Sequence, residues 1–244
     1  IQVGYGFRED YSLRLKIKAL TFDVFGTILN LSDSLTPTIQ QILSNHGSTI
    51  DSASFWLQFR IRQRIEQYQD NLLMVGHCGY MEAVRRAFLY TLRLNKIPYT
   101  DEDVAVFLDS WKNLKPFKDV MEGLKMLRDN YKLVILSNGE EWLLNHLVKN
   151  QIRFDFDKII SAQTAGAFKP HPAVYRTCAR LLNSEPYELM MVSSNSFDVM
   201  GARACGFQAA WVNRYRLPYE ETPYRPTIIV KDFHELATHL CELS

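Results

Sequence analysis

An α/β fold, with a parallel sheet covered by helices on both faces and an all-helical insertion, is what the sequence predicts. Three observations lead there. Short apolar runs bounded by turn residues recur at 19–24, 132–137 and 189–193, the pattern of strands buried on both faces. Segments with helical apolar spacing separate them, and strands alternating with helices favour parallel pairing through right-handed crossovers. From about residue 33 to 111 the texture changes to four helical runs with no strand between them.

In chain order, residues 1–16 read as an appended N-terminal segment. The first eighteen residues are mixed and charged, lack the apolar stretch of a signal peptide, and do not begin with Met. The first strand, 19–24, is interrupted by one carboxylate, Asp23, near its carboxyl end. Gly26 then allows a sharp turn, and Thr27 comes next with a hydroxyl. Helices are expected over 36–45, 54–71, 80–94 and 101–111, with Ser34, Asp51 and Thr100 as start residues. Beyond them come a helix at 117–130, a strand at 132–137, a helix at 140–150, a strand beginning at 159–161 and a helix at 172–182. A strand at 189–193, a helix at 196–205, strands at 209–213 and 227–230, and a helix at 232–243 complete the chain. Residues 1–32 and 112–244 are thus expected to form the α/β core, and 33–111 a helical cap packed on it.

Bulk properties exclude several classes. The 244 residues are 47% hydrophobic and 23% charged, ordinary values for a globular protein, and suit a core domain with a smaller insert. A net charge of +1 gives no electrostatic case for nucleic acid or an anionic membrane. No apolar run approaches the roughly 20 residues that span a bilayer. Cys78, Cys178, Cys205 and Cys241 are far apart, with no metal-ligand or redox spacing. That implies reduced, buried thiols in a cytoplasmic protein.

Function is carried by the residues just past the strand ends. The first strand ends in Asp23, with Thr27 close behind. The second ends in Ser137-Asn138-Gly139, and a later one in Ser193-Ser194-Asn195 with Asp198 one turn on. Lys169, before Pro170, lies in a loop between them. Each has a plain structural reading: Asp23 and Ser-Asn-Gly as turn or cap residues, Lys169 as a solvated side chain, Asp198 as a complement to its helix dipole. Parallel strands, however, bring their carboxyl ends to one edge, where ligands bind in open α/β sheets. A lysine reaching that crevice would offset two carboxylates that otherwise resist ionising together. Such an arrangement suits nucleophilic catalysis by a carboxylate.

These residues resemble the haloacid dehalogenase superfamily, and within it most closely the L-2-haloacid dehalogenase branch. The match runs from Ala19 to Arg214 through Phe22-Asp23-Val24-Phe25-Gly26-Thr27, Leu136-Ser137-Asn138-Gly139, Lys169-Pro170 with Val174-Tyr175, and Val192-Ser193-Ser194-Asn195 to Asp198. It continues through Gly201-Ala202-Arg203, Gly206-Phe207 and Trp211-Val212-Asn213-Arg214. The resemblance implies a Rossmann-like core with an inserted helical cap, and a hydrolase converting (S)-2-haloalkanoic acids to (R)-2-hydroxyalkanoic acids and halide. Asp23 would be the nucleophile, forming an aspartyl ester. Thr27, Ser137 and Lys169 would hold and charge-balance it, and Ser193, Asn195 and Asp198 would order the hydrolytic water. Asn138 would contact the halide and Tyr175 help position the site. Arg62, with Arg60 as second choice, would reach down from the cap. Two positions depart from the branch pattern: Phe25 replaces a tyrosine and Phe197 a tryptophan, and both would shape the substrate pocket.

The resemblance implies no metal or other cofactor, a small 2-haloacid as partner, and a branch in which homodimers are frequent. Two alternatives stand beside it. Superfamily phosphatases carry a second Asp two residues after the nucleophile and bind Mg²⁺; here that position is Phe25, and no acidic pair precedes Asp198. A binding protein with weak turnover on the same fold is the other.

Overall fold

The structure is a computed structural model that describes residues 17–243, so the segment expected over 1–16 lies outside the described residues. The chain enters the sheet with β1 (Ala19–Phe22). A two-residue strand, β2 (Leu29–Asn30), leads into four helices: α1 (Leu31–Asn45), α2 (Ser52–Leu72), α3 (Tyr80–Leu94) and α4 (Asp101–Ser110). The chain returns through β3 (Lys115–Pro116), which pairs antiparallel with β2 and ties together the two ends of the helical insertion. That ribbon is too short to leave an alternating pattern in the sequence. Next come α5 (Val120–Arg128), β4 (Lys132–Ser137), α6 (Glu141–Leu147), β5 (Lys158–Ser161), α7 (Pro172–Leu182), β6 (Leu189–Ser193), α8 (Ser196–Ala204), β7 (Gln208–Val212), β8 (Ile228–Val230) and α9 (Phe233–Leu243).

The main sheet has six strands in the order β5-β4-β1-β6-β7-β8. All of its pairings are parallel. Side chains alternate between its faces. Leu20, Phe22, Ile135 and Val192 face a core that includes Val120 and Leu124 of α5 and Phe233 and Leu236 of α9. Ala19, Val134, Leu136 and Met191 face a second core with Val174 of α7 and Val199 and Ala202 of α8. Central β1 is therefore covered on both sides, which is why it reads as one apolar run.

Local signals explain most helix starts. Asp51 caps α2 by accepting the Ser54 amide at 2.9 Å, and Thr100 with Asp103 forms a reciprocal capping box on α4. The first insertion helix begins earlier than expected. Its cap is Asn30, not Ser34, with Asn30 Oδ1 accepting the Asp33 amide at 3.2 Å. The thiols also differ from expectation: Cys178 is buried, but Cys78, Cys205 and Cys241 are only partly so, and all four are free. Among the described residues no helix is long and apolar enough to cross a membrane.

Candidate active site

Asp23 lies one residue past β1, held in line by its amide, which donates to the Val192 carbonyl at 3.0 Å. Its carboxylate points across the carboxyl edge of the sheet. The chain turns immediately afterwards through Gly26, at φ +88°. This brings Thr27 back so that its hydroxyl donates to Asp23 Oδ2 at 2.8 Å. The Asn195 side-chain amide donates to the same oxygen at 2.9 Å. The other oxygen, Oδ1, receives one longer contact, from Lys169 Nζ at 3.3 Å. Two donors thus fix Oδ2, while Oδ1 keeps lone-pair density free for attack.

Lys169 is the electrostatic centre. It is 1% exposed, although a lysine before proline in a loop usually points to water. Its ammonium donates to Asp198 Oδ2 at 2.8 Å as well as to Asp23. Burial works against the charge, but the carboxylates of Asp198 and Asp23 outweigh it and hold the lysine pKa above its usual value. Asp198 lies in the first turn of α8 and is equally buried. Burial, with the nearby negative charge of Asp23, pushes its carboxyl pKa up, and Lys169 offsets only part of this. Asp198 Oδ1 accepts the Tyr175 hydroxyl at 2.8 Å. The lysine loop is itself pinned: Asn138 Oδ1 accepts the Lys169 amide at 2.7 Å. Asn71 of α2 meets both the amide and the carbonyl of Phe168, at 2.9 and 2.8 Å.

A cavity of about 30 Å³ lies over Asp23, room for about one water molecule. Core residues Phe25, Asn138, Asn195 and Phe197 line one side, and Arg60, Arg64, Gln67 and Tyr80 of the helical insertion line the other. Phe25 stacks on Tyr80, with ring centroids 4.3 Å apart and planes 7° from parallel. Gln67 Oε1 accepts the Asn138 side-chain amide at 2.8 Å. Arg64 spans the gap, donating to Asn195 Oδ1 at 3.2 Å and lying 5.3 Å from the Phe197 ring centroid. Burial, with the charge of Arg60 beside it, lowers the Arg64 pKa.

The sequence matches the haloacid dehalogenase-like hydrolase family over residues 17–206. The chain belongs to that family. Among its relatives, haloacetate dehalogenase H-2 of Moraxella sp. (strain B) is 30% identical over 88% of this chain and 94% of its own length. The (S)-2-haloacid dehalogenase of Xanthobacter autotrophicus is 32% identical over 81% of this chain and 76% of its own. A solved structure, L-2-haloacid dehalogenase from Xanthobacter autotrophicus with chloropropionic acid covalently bound, superposes with a TM-score of 0.80. It is 25% identical and covers 93% of this chain and 100% of its own.

Several expected residues of this haloacid dehalogenase-like hydrolase meet. Asp23, Thr27, Lys169, Asn195 and Asp198 are joined by hydrogen bonds, with Phe25, Asn138 and Phe197 around the cavity. Others sit differently. Arg62 is the main correction. It turns away from the cavity toward α3, where it donates to Glu66 at 2.8 Å and lies 4.1 Å from the Tyr90 ring centroid. Tyr175 is buried behind Asp198 and holds that carboxylate; it does not line the cavity. The hydroxyls of Ser137 and Ser193 accept local amides, of Gly139 at 3.5 Å and Asn195 at 3.1 Å, and so shape the two turns. Arg64, Gln67 and Tyr80 are pocket residues that the sequence reading misses. Arg60, Arg64 and Gln67 stand at i, i+4 and i+7, one face of a helix, and Arg62 points about 200° away from Arg60. That spacing is the signal that could have found Arg64 and Gln67; Tyr80, at the start of α3, has no such signal.

The Lys169 ammonium bridges the two carboxylates, and Phe25, two residues after Asp23, offers a ring stacked on Tyr80 and no side-chain oxygen. Among the described residues no three His, Cys, Asp or Glu side chains gather to hold a metal ion.

Proposed function

We propose that this hydrolase removes halide from (S)-2-haloalkanoic acids, giving (R)-2-hydroxyalkanoic acids. The observation that carries the reading is the Asp23–Lys169–Asp198 arrangement beneath a pocket walled by Phe25 and capped by arginines. Asp23 Oδ1 attacks C2 from the side opposite the halogen, so the C–O bond forms as the carbon–halogen bond breaks and configuration inverts. The halide leaves with the bonding pair. Arg64 and Arg60 supply positive charge for the substrate carboxylate and the departing halide. A monoanion of this size needs no divalent cation to balance it, unlike a phosphoryl group.

The ester is then hydrolysed at the Asp23 carbonyl carbon. Asp198, whose raised pKa suits a base, takes the proton of the attacking water. The tetrahedral intermediate collapses with the leaving alkoxide taking the proton held by Asp198, and the Asp23 carboxyl group gives up its own proton to solvent, so that the 2-hydroxy acid is released and both carboxylates are restored. Lys169 stays charged throughout and keeps both carboxylates usable. Covalent catalysis divides one hard displacement into two easier steps.

Halide release from both configurations of 2-chloropropionate, with p-nitrophenyl phosphate and Mg²⁺ as the control, tests the reading. The expected result is chloride from the (S) acid alone, undiminished in EDTA after dialysis. Nitrophenol released only with Mg²⁺, and no chloride, would replace the dehalogenase by a phosphatase. The family sequence pattern, four free thiols and a net charge of +1 support a cytoplasmic enzyme acting on a small acid.

A further inference from the structure

Glu140 stands outside the reacting set, yet it joins the two halves of the site. It succeeds the Ser137-Asn138-Gly139 turn, and its backbone begins α6: φ is −63°, ψ is 150°, and its carbonyl accepts the Leu144 amide at 3.0 Å. Its side chain runs the other way, toward the helical insertion, where Oε1 accepts the Met81 amide at 3.1 Å. Met81 is in the first turn of α3, whose own cap position is Gly79 and offers no side-chain acceptor. First-turn amides need a partner, and a carboxylate also suits the positive end of the helix dipole. Gly79 makes the approach feasible. It has φ +105°, and a Cβ there would lie 3.0 Å from Glu140 Oε1.

A second contact runs alongside. His77 Nε2 meets the Asn138 carbonyl at 2.9 Å, and its Nδ1 accepts the Gly79 amide at 3.2 Å. Those partners fit the neutral ring with its proton on Nε2, and burial lowers the His77 pKa. Between His77 and Met81 sits Tyr80, the buried ring that stacks on Phe25 and lines the cavity. Holding Met81 from the core therefore holds Tyr80 over Asp23.

Glu140 is a costly way to end a turn. It is 8% exposed, its Oε2 has no hydrogen-bond partner among the described residues, and burial pushes its carboxyl pKa up. A small polar residue would begin α6 as well without burying a carboxyl group. We infer that Glu140 is a positioning residue: by capping α3 from the core, it fixes Tyr80 against Phe25 and sets the insertion-side wall of the pocket. Its kinetic readout rests on the dehalogenation proposed above.

The test compares wild type, Glu140→Ala, Glu140→Gln, Tyr80→Ala and the Glu140→Ala/Tyr80→Ala double variant, with (S)-2-chloropropionate as substrate. Glu140→Ala should lower kcat/KM by about 10- to 100-fold, the cost of a small misplacement of a site wall. Glu140→Gln, which keeps an acceptor oxygen in place, should recover most of that loss. In the Tyr80→Ala background the Glu140→Ala penalty should largely vanish, because both remove the same wall. An unchanged kcat/KM in Glu140→Ala, or full additivity in the double variant, overturns the inference. Hydrogen exchange of the first α3 turn gives a readout that needs no turnover. The Met81 amide should exchange faster in Glu140→Ala and not in the exposed control Glu141→Ala. Should Glu140→Ala fail to fold, Glu140→Gln decides. Its amide oxygen accepts more weakly than a carboxylate, so Met81 should exchange faster than in wild type, and identical exchange overturns the inference. Absence of halide release in wild type would count against the proposed reaction; unaltered Met81 exchange would count against the capping.

Discussion

Two surfaces meet over Asp23, and they are built on opposite rules. On the core side, the reacting groups hang from the ends of β1, β4 and β6, strands that are buried on both faces. Each polar residue there stands out against an apolar run. On the insertion side, α2 buries Phe55, Trp56 and Phe59 in its first turns, but beyond them it turns a polar face inward. Gln63, Gln67 and Asp70 are buried, while Leu57, Ile61 and Ile65 are 63%, 64% and 38% exposed. A helix that presents its aliphatic side to water and its amides and arginines to a cleft defeats any reading that puts apolar residues inside. The lesson is that strand ends place chemistry through topology, whereas a lining helix places it through rotation, and only the first is marked by hydrophobic contrast.

This difference can be broken by substitution, and the core should suffer most. Lys169→Met leaves Asp23 and Asp198 facing each other without a counter-charge, so halide release should fall by about a thousandfold or more. A variant keeping most of its activity would mean that the buried ammonium is structural. On the insertion side, Arg64→Ala removes the guanidinium bonded to Asn195 and should lower kcat/KM by about 10- to 100-fold. A rise in KM larger than the fall in kcat would assign it mainly to substrate binding.

The pH profile gives a smaller effect. Burial raises the Asp198 pKa, so the base is lost as pH falls through a value above the ordinary aspartate figure of about 3.9. The acid limb of kcat should therefore lie above that figure and vanish in Asp198→Asn at its residual rate. A limb at the ordinary value would remove Asp198 from the base role. Arg62→Ala should matter least. That side chain pairs with Glu66 and lies over Tyr90 of α3, away from the cavity, so its removal touches none of the reacting groups. A loss equal to that of Arg64→Ala would restore Arg62 to the pocket and undo the rotation assigned to α2.

These contrasts explain what could be read from the chain. The sheet was legible because β4 and β6 are short apolar runs with turn residues at both ends, and their expected limits coincide with the strands found. Asp23, Lys169 and Asp198 were legible once those strands were taken as parallel. The roles of Ser137, Ser193 and Tyr175 were not, since a hydroxyl near a carboxylate in sequence gives no hint of which acceptor it will reach. Choosing among Arg60, Arg62 and Arg64 needed the helical phase of α2, and its outward aliphatic stripe obscured that phase. The β2–β3 ribbon and the Glu140 cap join residues about 60 to 90 positions apart, beyond any local pattern.

Single-turnover reaction in ¹⁸O-water, with excess enzyme over (S)-2-chloropropionate and mass analysis of the peptide containing residue 23, tests the nucleophile directly. Attack by Asp23 and then hydrolysis at its carbonyl carbon places one ¹⁸O in the Asp23 carboxylate and none in the lactate formed. Label in the lactate, with Asp23 unlabelled, would mean that water displaces the halide itself and that Asp23 is not the nucleophile.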